Sequence, residues 1–527
     1  MKKINVKQFI RTDISQMEPY VPGTSAQKLA NIYRQSINQL IKLNANENPY
    51  GESPAVRKAL KNTLFSYYPS SDYPTLSQQF AKYAKVKKEN IIVGSGSDEL
   101  IDLLLRITLE PGDKVINCPP TFGMYEIYTR LNRGIIMNVQ RVKSFEINLL
   151  EILKNCKDKK VKIVFLCNPN SPTGNLIPQE KIEKILQTGK LVVVDETYYE
   201  FSKQTSIKLL NNYENLIIIR TLSKWAGIAG LRIGYAIASI ELISQLMKIK
   251  PPFNVNVAAE NAALATLKDL SYAKESIKKI TNERERIINE LNRIPEINSQ
   301  VSYGNFIFIQ TTSSQYSLLQ NSFETNKIAV RYYPNLNYGI RITIGKPEQN
   351  DRILKIFNKV FNKKRKYAFL DRDGTLIFEP QDTFQVDSAR KLKILDGTIK
   401  GLKSLKERGY KLIMVTNQDG MGTPIFPKKN FEEPQGKMIE IFENEKIEFE
   451  NIFICPHFAS ANCDCRKPKI GLVKKIVNKN TIDKKNSFVC GDRESDRRFA
   501  KNLGISFIPI KTNGNFYDAI TRKGVPA

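Results

Sequence analysis

Residues 221–235 read TLSKWAGIAGLRIGY and contain three side chains of complementary chemistry at a fixed spacing. Ser223 directly precedes Lys224, and Arg232 follows the lysine in the same segment. An amine can form a Schiff base with an aldehyde, while a hydroxyl and a guanidinium can hold a phosphate group. A single lysine is more often a surface residue than a reactive one, so the flanking sequence has to decide the interpretation.

Apolar runs alternate with helical stretches before this segment, from about residue 85 to 235. Each run ends at a polar or glycine-containing turn; the runs are NIIVGSG, DKVINCPP, GIIMNVQ, VKIVFLCNP, KLVVVDE and LIIIRTLSK. Such runs are typical of strands buried on both faces of a mostly parallel sheet. Residues 256–295 then predict a long helix, and residues 296–362 predict a small α+β unit.

A second series of apolar runs begins with YAFLD at Tyr367 and continues with KLIMVTN, NIFICPH, SFVCGD and SFIPI. The basic, polar stretch RILKIFNKVFNKKRK separates the two series and is a plausible domain junction. Residues 367–527 are therefore predicted to form a second α/β domain with its own core.

The composition of the 527-residue chain excludes several classes of protein. With 41% hydrophobic and 25% charged residues it is typical of a multidomain globular protein, and no apolar run reaches the roughly 18 residues of a membrane span. The N-terminal MKKINVKQFIRTDISQ has no apolar signal-peptide core, which predicts a cytoplasmic protein. The net charge of +28 is spread along the chain without a basic motif, so we expect no nucleic-acid partner.

Three further segments offer partners for Lys224. VVVDETYYEF places Asp195 at a strand end, where a carboxylate can pair with a pyridinium nitrogen, and Tyr198 can reach a ring hydroxyl. GSGSDELI is a glycine-rich turn that opens a helix, so the backbone N–H groups of residues 96–98 can cradle a phosphate. CPPTFGMY offers Phe122 as an apolar face for a ring. Together these groups match the requirements of pyridoxal phosphate.

The order of these motifs over residues 1–362 resembles the fold-type I aminotransferases, and among them the histidinol-phosphate aminotransferases. The similar segments are LNANENPYG (43–51), GSGSDE, PPTFGMY, NPNSPTG, DETY, LSKWAGIAGLR and RITIG. The resemblance implies an α/β fold with a large domain over about 45–255 and a small α+β domain over about 256–362, completed by the N-terminal segment. It also implies a homodimer that uses glutamate as amino donor.

The resemblance assigns roles residue by residue. Lys224 is expected to form the Schiff base and to shuttle the proton, with Asp195 at the pyridinium nitrogen and Tyr198 at the ring hydroxyl. The other expected cofactor contacts are Phe122 on the ring, Ser97, Asp98, Ser223 and Arg232 at the phosphate, and Tyr68 from the other subunit. The expected substrate contacts are Arg331 and Arg341 at the substrate phosphate, and Tyr20 near the entrance. Ser171 stands where these enzymes commonly have asparagine, and its shorter side chain can still donate a hydrogen bond.

In the second half, AFLDRDGTL sets Asp371 and Asp373 two residues apart at the end of an apolar strand. Such a pair can cleave a phosphate ester, with the first carboxylate as nucleophile and the second as general acid and then base. DxDGT after a hydrophobic strand resembles the haloacid-dehalogenase phosphatase superfamily, which has a Rossmann-like α/β fold. The resemblance implies phosphoryl contacts from Thr416 and Asn417, charge neutralisation by Lys467, and Mg²⁺ held by Asp371, by the Asp373 carbonyl and by Asp492, with Asp496 in support.

Four potential metal ligands fall within the segment CPHFASANCDC, which contains the only histidine of the chain. They are Cys455, His457, Cys463 and Cys465. Four soft ligands on one loop fit closed tetrahedral Zn²⁺. We expect a structural zinc that shapes a substrate-covering loop beside Arg466 and Lys467.

FQVD (384–387), TNQDGMGTPIFP (416–427) and CDCRKPK (463–469) are similar to the histidinol phosphatases of this superfamily. Heptose-bisphosphate phosphatases have a comparable loop, but more typically carry serine where Asp419 stands here. Gln435 replaces a histidine often found at its position. The two halves together predict two consecutive steps of histidine biosynthesis: transamination of imidazole-acetol phosphate to histidinol phosphate, and hydrolysis of that product to histidinol.

Two other interpretations stay open on the sequence. One keeps both enzymes but changes the substrates, with another aminotransferase or a threonine-phosphate decarboxylase joined to a sugar-phosphate phosphatase. In the other, one half is a degenerate binding or scaffolding domain. The intact set of reactive groups argues against degeneration: Lys224, Asp371, Asp373 and Asp492.

Overall fold

A computed structural model describes residues 5–294, 296–297, 299–361, 364–474, 476 and 482–522. The chain divides into two compact units, residues 1–361 and 362–527. Each unit has hydrophobic core clusters of its own. None of the helices in the described part of the chain has both the length and the apolar character needed to span a membrane.

The strands of the first unit are, in chain order, β1 (Ile41–Lys42), β2 (Ile91–Gly94), β3 (Lys114–Asn117), β4 (Ile135–Asn138), β5 (Val161–Cys167), β6 (Leu191–Asp195), β7 (Leu216–Thr221), β8 (Gly234–Ala238), β9 (Phe306–Ile309), β10 (Ile328–Ala329), β11 (Arg331–Tyr333) and β12 (Gly339–Thr343). Seven of them form one sheet in the order β2-β8-β7-β6-β5-β3-β4. β8 pairs antiparallel with both neighbours, whereas the pairs from β7 to β4 are parallel.

The helices of the first unit are α1 (Thr12–Ser15), α2 (Ala26–Tyr33), α3 (Pro54–Lys61), α4 (Pro74–Ala84), α5 (Gly96–Thr108), α6 (Met124–Leu131), α7 (Leu149–Asn155), α8 (Gln179–Leu186), α9 (Tyr199–Ser202), α10 (Ile240–Ile249), α11 (Val257–Lys268), α12 (Ser271–Leu291), α13 (Ser313–Thr325) and α14 (Pro347–Phe361). Among them, α4, α5, α6, α8 and α10 contact the large sheet, and α12 contacts the small one. Val192 and Val194 of β6 belong to one core cluster, and Val193 belongs to the other. Because successive side chains point to opposite faces of a strand, both faces of the sheet are buried.

The six apolar runs identified in the sequence form β2 to β7, as predicted. β8 is an addition to that set, and its antiparallel direction brings its first residue, Gly234, to the edge where β6 and β7 end. A Cβ atom at Gly234 would lie 2.8 Å from the carbonyl carbon of Gly96 and 3.0 Å from the backbone nitrogen of Ser97. This close approach requires glycine, because the atoms that would have to move belong to the backbone.

The prediction of one long helix over residues 256–295 is wrong, because α11 and α12 are separated at Asp269 and Leu270. Asp269 has an extended backbone, with φ −130° and ψ 94°. Its Oδ1 accepts hydrogen bonds from the backbone nitrogen of Ser271 at 3.0 Å and from the Ser271 hydroxyl at 2.5 Å. An aspartate that accepts the N–H of the first residue of a helix favours a new helix start over continuation.

A small antiparallel sheet in the order β11-β12-β9 follows the long helices, and β1 pairs parallel with β10. The N-terminal segment is attached to these strands through its backbone. The nitrogen of Leu43 donates to the carbonyl of Ala329 at 2.7 Å, and the nitrogen of Thr343 donates to the carbonyl of Leu43 at 2.9 Å. Residues 43–46 are therefore fixed beside β12, the strand that carries Arg341.

The second unit has strands β13 (Tyr367–Leu370), β14 (Lys411–Asn417), β15 (Asn451–Cys455), β16 (Phe488–Gly491) and β17 (Ser506–Pro509), and helices α15 (Thr398–Glu407), α16 (Lys428–Asn444), α17 (Glu494–Leu503) and α18 (Phe516–Arg522). The strands form a parallel sheet in the order β15-β14-β13-β16-β17, and the five runs predicted from the sequence are confirmed as these strands. Asp371, Thr416 and Asp492 stand at the carboxyl ends of three adjacent strands. Side chains at these ends meet at one edge of a parallel sheet, where ligands commonly bind.

Candidate functional site: a cofactor cavity and a carboxylate mouth

A cavity of about 320 Å³ opens at the carboxyl edge of the large sheet in the first unit. Of the sequence-predicted residues, those that line it are Tyr20, Ser97, Asp98, Phe122, Ser171, Asp195, Tyr198, Ser223, Lys224, Arg232, Arg331 and Arg341. Tyr68 does not line this cavity within its own chain. It is 81% exposed and stacks on Phe253 with ring centroids 4.6 Å apart.

Asp195 is a buried carboxylate, 3% exposed, at the end of β6. Its Oδ2 accepts a hydrogen bond from the Tyr125 hydroxyl at 2.6 Å, and its Oδ1 accepts from the Thr197 hydroxyl at 2.5 Å and the Thr197 nitrogen at 3.0 Å. Burial raises the pKa of this carboxyl, and the hydrogen bonds from Thr197 and Tyr125 oppose that rise. These hydroxyls hold the carboxylate in one orientation, facing the cavity.

Lys224 is partly accessible because its side chain faces the cavity, yet protein surrounds it closely. Its amine donates to the carbonyl oxygen of Ala45 at 3.3 Å. Burial, together with the guanidinium of Arg341, lowers the pKa of Lys224 to about 8. The lysine therefore has a substantial neutral, nucleophilic fraction near neutral pH.

A group of polar side chains lies where β8 meets the start of α5. Arg232 donates to the Asp98 carboxylate at 2.8 Å and to the Ser223 hydroxyl at 3.4 Å. Gly96 has a φ of +80°, and a Cβ atom there would lie 2.5 Å from Nη2 of Arg232. The guanidinium therefore packs directly against the N-terminus of a 13-residue helix, which is a suitable place for an anionic group.

Tyr198 and Arg341 also line the cavity. Asn46 donates to the Tyr198 hydroxyl oxygen at 2.9 Å, and burial raises the pKa of Tyr198 to about 12. Arg341 donates to the Ser171 hydroxyl at 3.0 Å and to the Asn44 carbonyl at 3.1 Å. Its buried Nε has no partner among the described residues. Arg341 thus brings an incompletely paired positive charge to the cavity.

The outer part of the cavity is formed by two of the predicted substrate contacts. Arg331 donates to the Val21 carbonyl at 2.7 Å, which ties β11 to the N-terminal segment. Tyr20 is 44% exposed, and burial of the remainder raises its pKa against the opposing effect of Arg331. The two residues are therefore close to each other at the accessible end of the cavity.

The sequence reasoning missed three residues that orient the predicted ones. Tyr125 and Thr197 orient Asp195, and Asn46 contacts Tyr198. Tyr125 and Thr197 stand inside the quoted motifs PPTFGMY and DETY, so these motifs contained a signal for them. Asn46 stands inside the quoted motif LNANENPYG, but it is 152 residues from Tyr198, and only the folded chain brings the two residues together.

A second cavity, of about 360 Å³, opens at the carboxyl edge of the sheet in the second unit. The predicted residues that line it are Asp371, Asp373, Thr416, Asn417, Arg466 and Lys467. The Lys467 amine lies 2.6 Å from an oxygen of Asp371 and 2.6 Å from an oxygen of Asp496. Burial by itself lowers the pKa of Lys467, but the carboxylates of Asp371 and Asp496 outweigh burial, and the pKa is raised overall. Lys467 is therefore held as a cation beside Asp371.

Asp373 is oriented by its neighbours. Its Oδ1 accepts a hydrogen bond from Arg372 at 2.7 Å, and its Oδ2 accepts from Gln418 at 2.6 Å. Gln418 also donates to the Thr416 hydroxyl at 2.8 Å. Gln418 was not predicted as a site residue, although it follows Thr416 by two positions in the quoted segment TNQDGMG. It links the second aspartate to the end of β14.

Oxygen atoms of Asp371, Asp492 and Asp496 lie within 4.8 Å of one another. Oδ2 of Asp492 accepts from Thr512 at 2.8 Å, while its buried Oδ1 has no partner among the described residues. Burial raises the pKa of Asp492. An all-oxygen carboxylate set with an unpaired buried atom fits a hard divalent cation such as Mg²⁺.

The four predicted soft ligands form one compact cluster. The sulfur of Cys455 lies 3.6 Å from Cys463 and 3.4 Å from Cys465, and Nδ1 of His457 lies 3.2 Å from the Cys465 sulfur. Tetrahedral Zn²⁺ with Zn–S bonds of about 2.3 Å would separate sulfur atoms by about 3.7 Å. The donor set and its spacing therefore fit a closed zinc site.

Arg466 connects this cluster to the rim of the second cavity. It forms an ion pair with Asp419 and donates to the His457 carbonyl at 3.0 Å. The Asn417 side chain accepts from the Lys467 nitrogen at 3.0 Å and donates to the Lys467 carbonyl at 3.3 Å, so in this structure it holds the lysine backbone. Gln435 is buried in α16 and lies outside the residues that line the cavity.

Residues 38–357 match the family model Aminotransferase class I and II. The chain belongs to this class of proteins. It is 42% identical over 359 residues to a histidinol-phosphate aminotransferase of Dehalococcoides mccartyi, covering 68% of this chain and 99% of that relative, and 38% identical over 367 residues to one of Roseiflexus castenholzii, with the same coverage. Within the class, the chain belongs to the histidinol-phosphate aminotransferase family.

Solved structures are similar to the first part of the chain. The histidinol-phosphate aminotransferase of Clostridium acetobutylicum has a TM-score of 0.57 at 28% identity, covering 61% of this chain and 99% of that one. The Sinorhizobium meliloti enzyme, solved in complex with pyridoxal-5'-phosphate, has a TM-score of 0.61 at 23% identity, covering 67% and 97%. Residues 366–512 match a different model, Polynucleotide kinase 3 phosphatase. The second unit is therefore similar to a phosphatase family.

The pH dependence of Lys224 reactivity is a direct test of the first cavity. In cofactor-free protein, reaction of Lys224 with added pyridoxal should increase with pH around a midpoint near 8, because the ammonium is unreactive below its pKa and the free amine attacks above it. Brief exposure, borohydride reduction and peptide mass spectrometry give the labelled fraction at each pH. A midpoint close to that of ordinary lysines, about 10.4, would contradict the lowered pKa.

Proposed function

We propose that the chain is a bifunctional enzyme of histidine biosynthesis. The first unit transfers an amino group from glutamate to imidazole-acetol phosphate and forms histidinol phosphate, with pyridoxal phosphate as cofactor. The second unit hydrolyses histidinol phosphate to histidinol and phosphate. The observation that carries the proposal is the placement of Lys224 and Asp195 in one cavity of a chain that belongs to the histidinol-phosphate aminotransferase family.

The residues of the first cavity fit pyridoxal phosphate, which supplies an electron-withdrawing ring on which bonds to the substrate α-carbon are broken. Lys224 binds the cofactor aldehyde and then carries a proton to and from that carbon. Asp195 holds a proton at the ring nitrogen, and Tyr198 donates to the ring hydroxyl. Arg232 and the start of α5 bind the cofactor phosphate, while Phe122 covers the ring.

Substrate recognition follows from the positive charge that Arg341 and Arg331 bring to the cavity. Arg341, with its unpaired Nε, and Arg331 bind the anionic ends of the substrates, which are a phosphate in one case and a carboxylate in the other. Ser171 accepts a hydrogen bond from Arg341, so it serves to orient this arginine in addition to any contact with the ring. Tyr20 lines the same cavity beside Arg331.

A homodimer completes the proposal for the first unit. The segment around Tyr68 exposes a run of large apolar side chains: Leu64 at 70%, Phe65 at 68%, Tyr67 at 72% and Tyr68 at 81%. Such a contiguous exposed set is typical of a surface that another protein covers. If a second copy of this chain covers the segment, Tyr68 would lie at the cofactor phosphate of that second copy.

In the second unit, an oxygen of Asp371 attacks the phosphorus of the substrate while the ester bond to histidinol breaks. Asp373 gives a proton to the leaving alcohol, and then takes one from the water that hydrolyses the aspartyl-phosphate. Lys467 offsets part of the charge of the phosphoryl group. Asp371, Asp492 and the Asp373 carbonyl would hold Mg²⁺, which would supply further positive charge at that position. Thr416 binds a phosphoryl oxygen, and zinc at the Cys455 cluster shapes the rim beside Arg466.

A second candidate function for the second unit is removal of 3′-phosphates from nucleic acid, which the match over residues 366–512 favours. The rim of the second cavity argues against a nucleic-acid substrate in one respect. Asp419 faces Arg466, and Glu379 lies against Arg493, so the two arginines at the mouth are already paired with carboxylates. A nucleic-acid backbone would require free cations along its path. A sugar bisphosphate is the other alternative substrate.

Separate substitutions should separate the two activities. Lys224→Ala is expected to abolish transamination and leave phosphate release from histidinol phosphate unchanged, because the cavities are lined by different residues. Asp371→Asn is expected to do the reverse. The measurements are 2-oxoglutarate formation and phosphate release on the same preparations. Loss of both activities in either folded variant would contradict independent sites.

Zinc removal should act on the second activity alone. Cys463→Ser is expected to lower bound zinc by about one ion per chain, by elemental analysis, and to decrease phosphate release at least tenfold, because the rim around Arg466 loses its anchor. Cys156→Ser, at a buried cysteine of the first unit, is the matched control and should retain zinc. Full phosphatase activity in zinc-free Cys463→Ser protein would show that the cluster is dispensable.

A further inference from the structure

The N-terminal segment Asn44–Asn46 contacts three functional groups of the first cavity at once. The carbonyl of Asn44 accepts from Arg341, the carbonyl of Ala45 accepts from the Lys224 amine, and the side chain of Asn46 donates to Tyr198. The segment therefore contributes two backbone oxygens and one side-chain amide to these contacts.

Asn46 occupies a conformation that its neighbours stabilise. Its φ is +56°, a left-handed value that asparagine tolerates better than most residues, and it is 1% exposed. Its backbone nitrogen donates to the Thr343 hydroxyl at 2.9 Å, and Asn305 donates to its carbonyl at 2.8 Å. The side chain is therefore presented to Tyr198 from a rigid position.

The hydrogen bonds around Asn46 have a defined direction. The Thr343 hydroxyl accepts from the Asn46 nitrogen and donates to the Asn46 Oδ1 at 3.1 Å. With its oxygen so engaged, the Asn46 amide presents Nδ2 to Tyr198, and an amide nitrogen can only donate. The oxygen of Tyr198 is then an acceptor for Asn46, and its own proton is available to the cavity.

We infer that Asn46, held by Thr343, is a positioning residue that directs the Tyr198 hydroxyl proton toward the cofactor ring oxygen. The inference rests on the proposed pyridoxal phosphate chemistry. A hydroxyl that donates to the ring oxygen stabilises its anionic form and so lowers the pKa of the lysine-bound cofactor. Thr343 lies on β12 with Arg341, so the strand that carries the substrate arginine also orients the cofactor's hydroxyl partner.

The readout is the pH midpoint of the visible absorbance of cofactor-loaded protein without substrate. Tyr198→Phe is expected to raise this midpoint, because the ring oxygen loses a donor. Asn46→Gly, which keeps the left-handed backbone accessible, is expected to raise it by about half to one pH unit, the size that loss of one hydrogen bond gives. Thr343→Val should give a smaller rise, and Asn46→Gly in the Tyr198→Phe background should give none.

Asn117→Ala is the matched control, since Asn117 is a buried asparagine of the same unit that bonds to Asn138 outside the cavity. Its midpoint should equal that of the unchanged protein. The charged groups that face Lys224, which are Arg341, Glu47, Arg232 and Asp98, are kept in every variant. A shift of the pH midpoint therefore reports the loss of the hydrogen bond to Tyr198 and not a change in the electrostatic field at Lys224.

The outcomes separate this inference from the proposed function. A midpoint that falls in Asn46→Gly would mean that Asn46 accepts the Tyr198 proton, which overturns the inference. An unchanged midpoint in both Asn46→Gly and Thr343→Val, with a rise in Tyr198→Phe, would also overturn it and leave the proposed function intact. If Tyr198→Phe itself has no effect, the proposed contact between Tyr198 and the cofactor fails.

Discussion

Parallel strands bring their carboxyl ends to one edge of a sheet, and both candidate sites depend on this constraint. In the first unit the edge collects Asp195 from the end of β6 and Lys224 from the turn after β7. The antiparallel β8 adds Arg232, because its beginning lies where its neighbours end. In the second unit the same geometry collects Asp371, Thr416 and Asp492. Each site is thus assembled from segments far apart in sequence.

Burial at these edges changes the chemistry of the groups placed there. Lys224 is surrounded by protein and faces the positive Arg341, so its pKa falls and its amine becomes reactive near neutral pH. Lys467 is also buried, but it contacts the carboxylates of Asp371 and Asp496 and stays a cation. The same residue type therefore has a lowered pKa in one cavity and a raised pKa in the other. The difference comes from the nearest partners and not from burial itself.

The candidate reactive groups could be predicted from the sequence, because they stand in contiguous motifs whose residue types follow from the proposed chemistry. Strand positions β2 to β7 and β13 to β17 were predictable from their apolar runs. The groups that orient the reactive side chains were harder to predict. Asn46 reaches Tyr198 across 152 residues, and α11 ends at Asp269 through a local capping contact within an otherwise helical pattern. Tyr68 is predicted to act in the cavity of a second chain, and it does not line the cavity of its own chain.

The central claim is that the two units act on successive intermediates of one pathway. The most direct measurement is the initial rate of phosphate release by the purified chain with Mg²⁺ from three substrates: histidinol phosphate, a heptose bisphosphate and a 3′-phosphorylated oligonucleotide. The account predicts a strong preference for histidinol phosphate. A preference for the sugar or the oligonucleotide would contradict it, and would leave the aminotransferase assignment supported by the first unit alone.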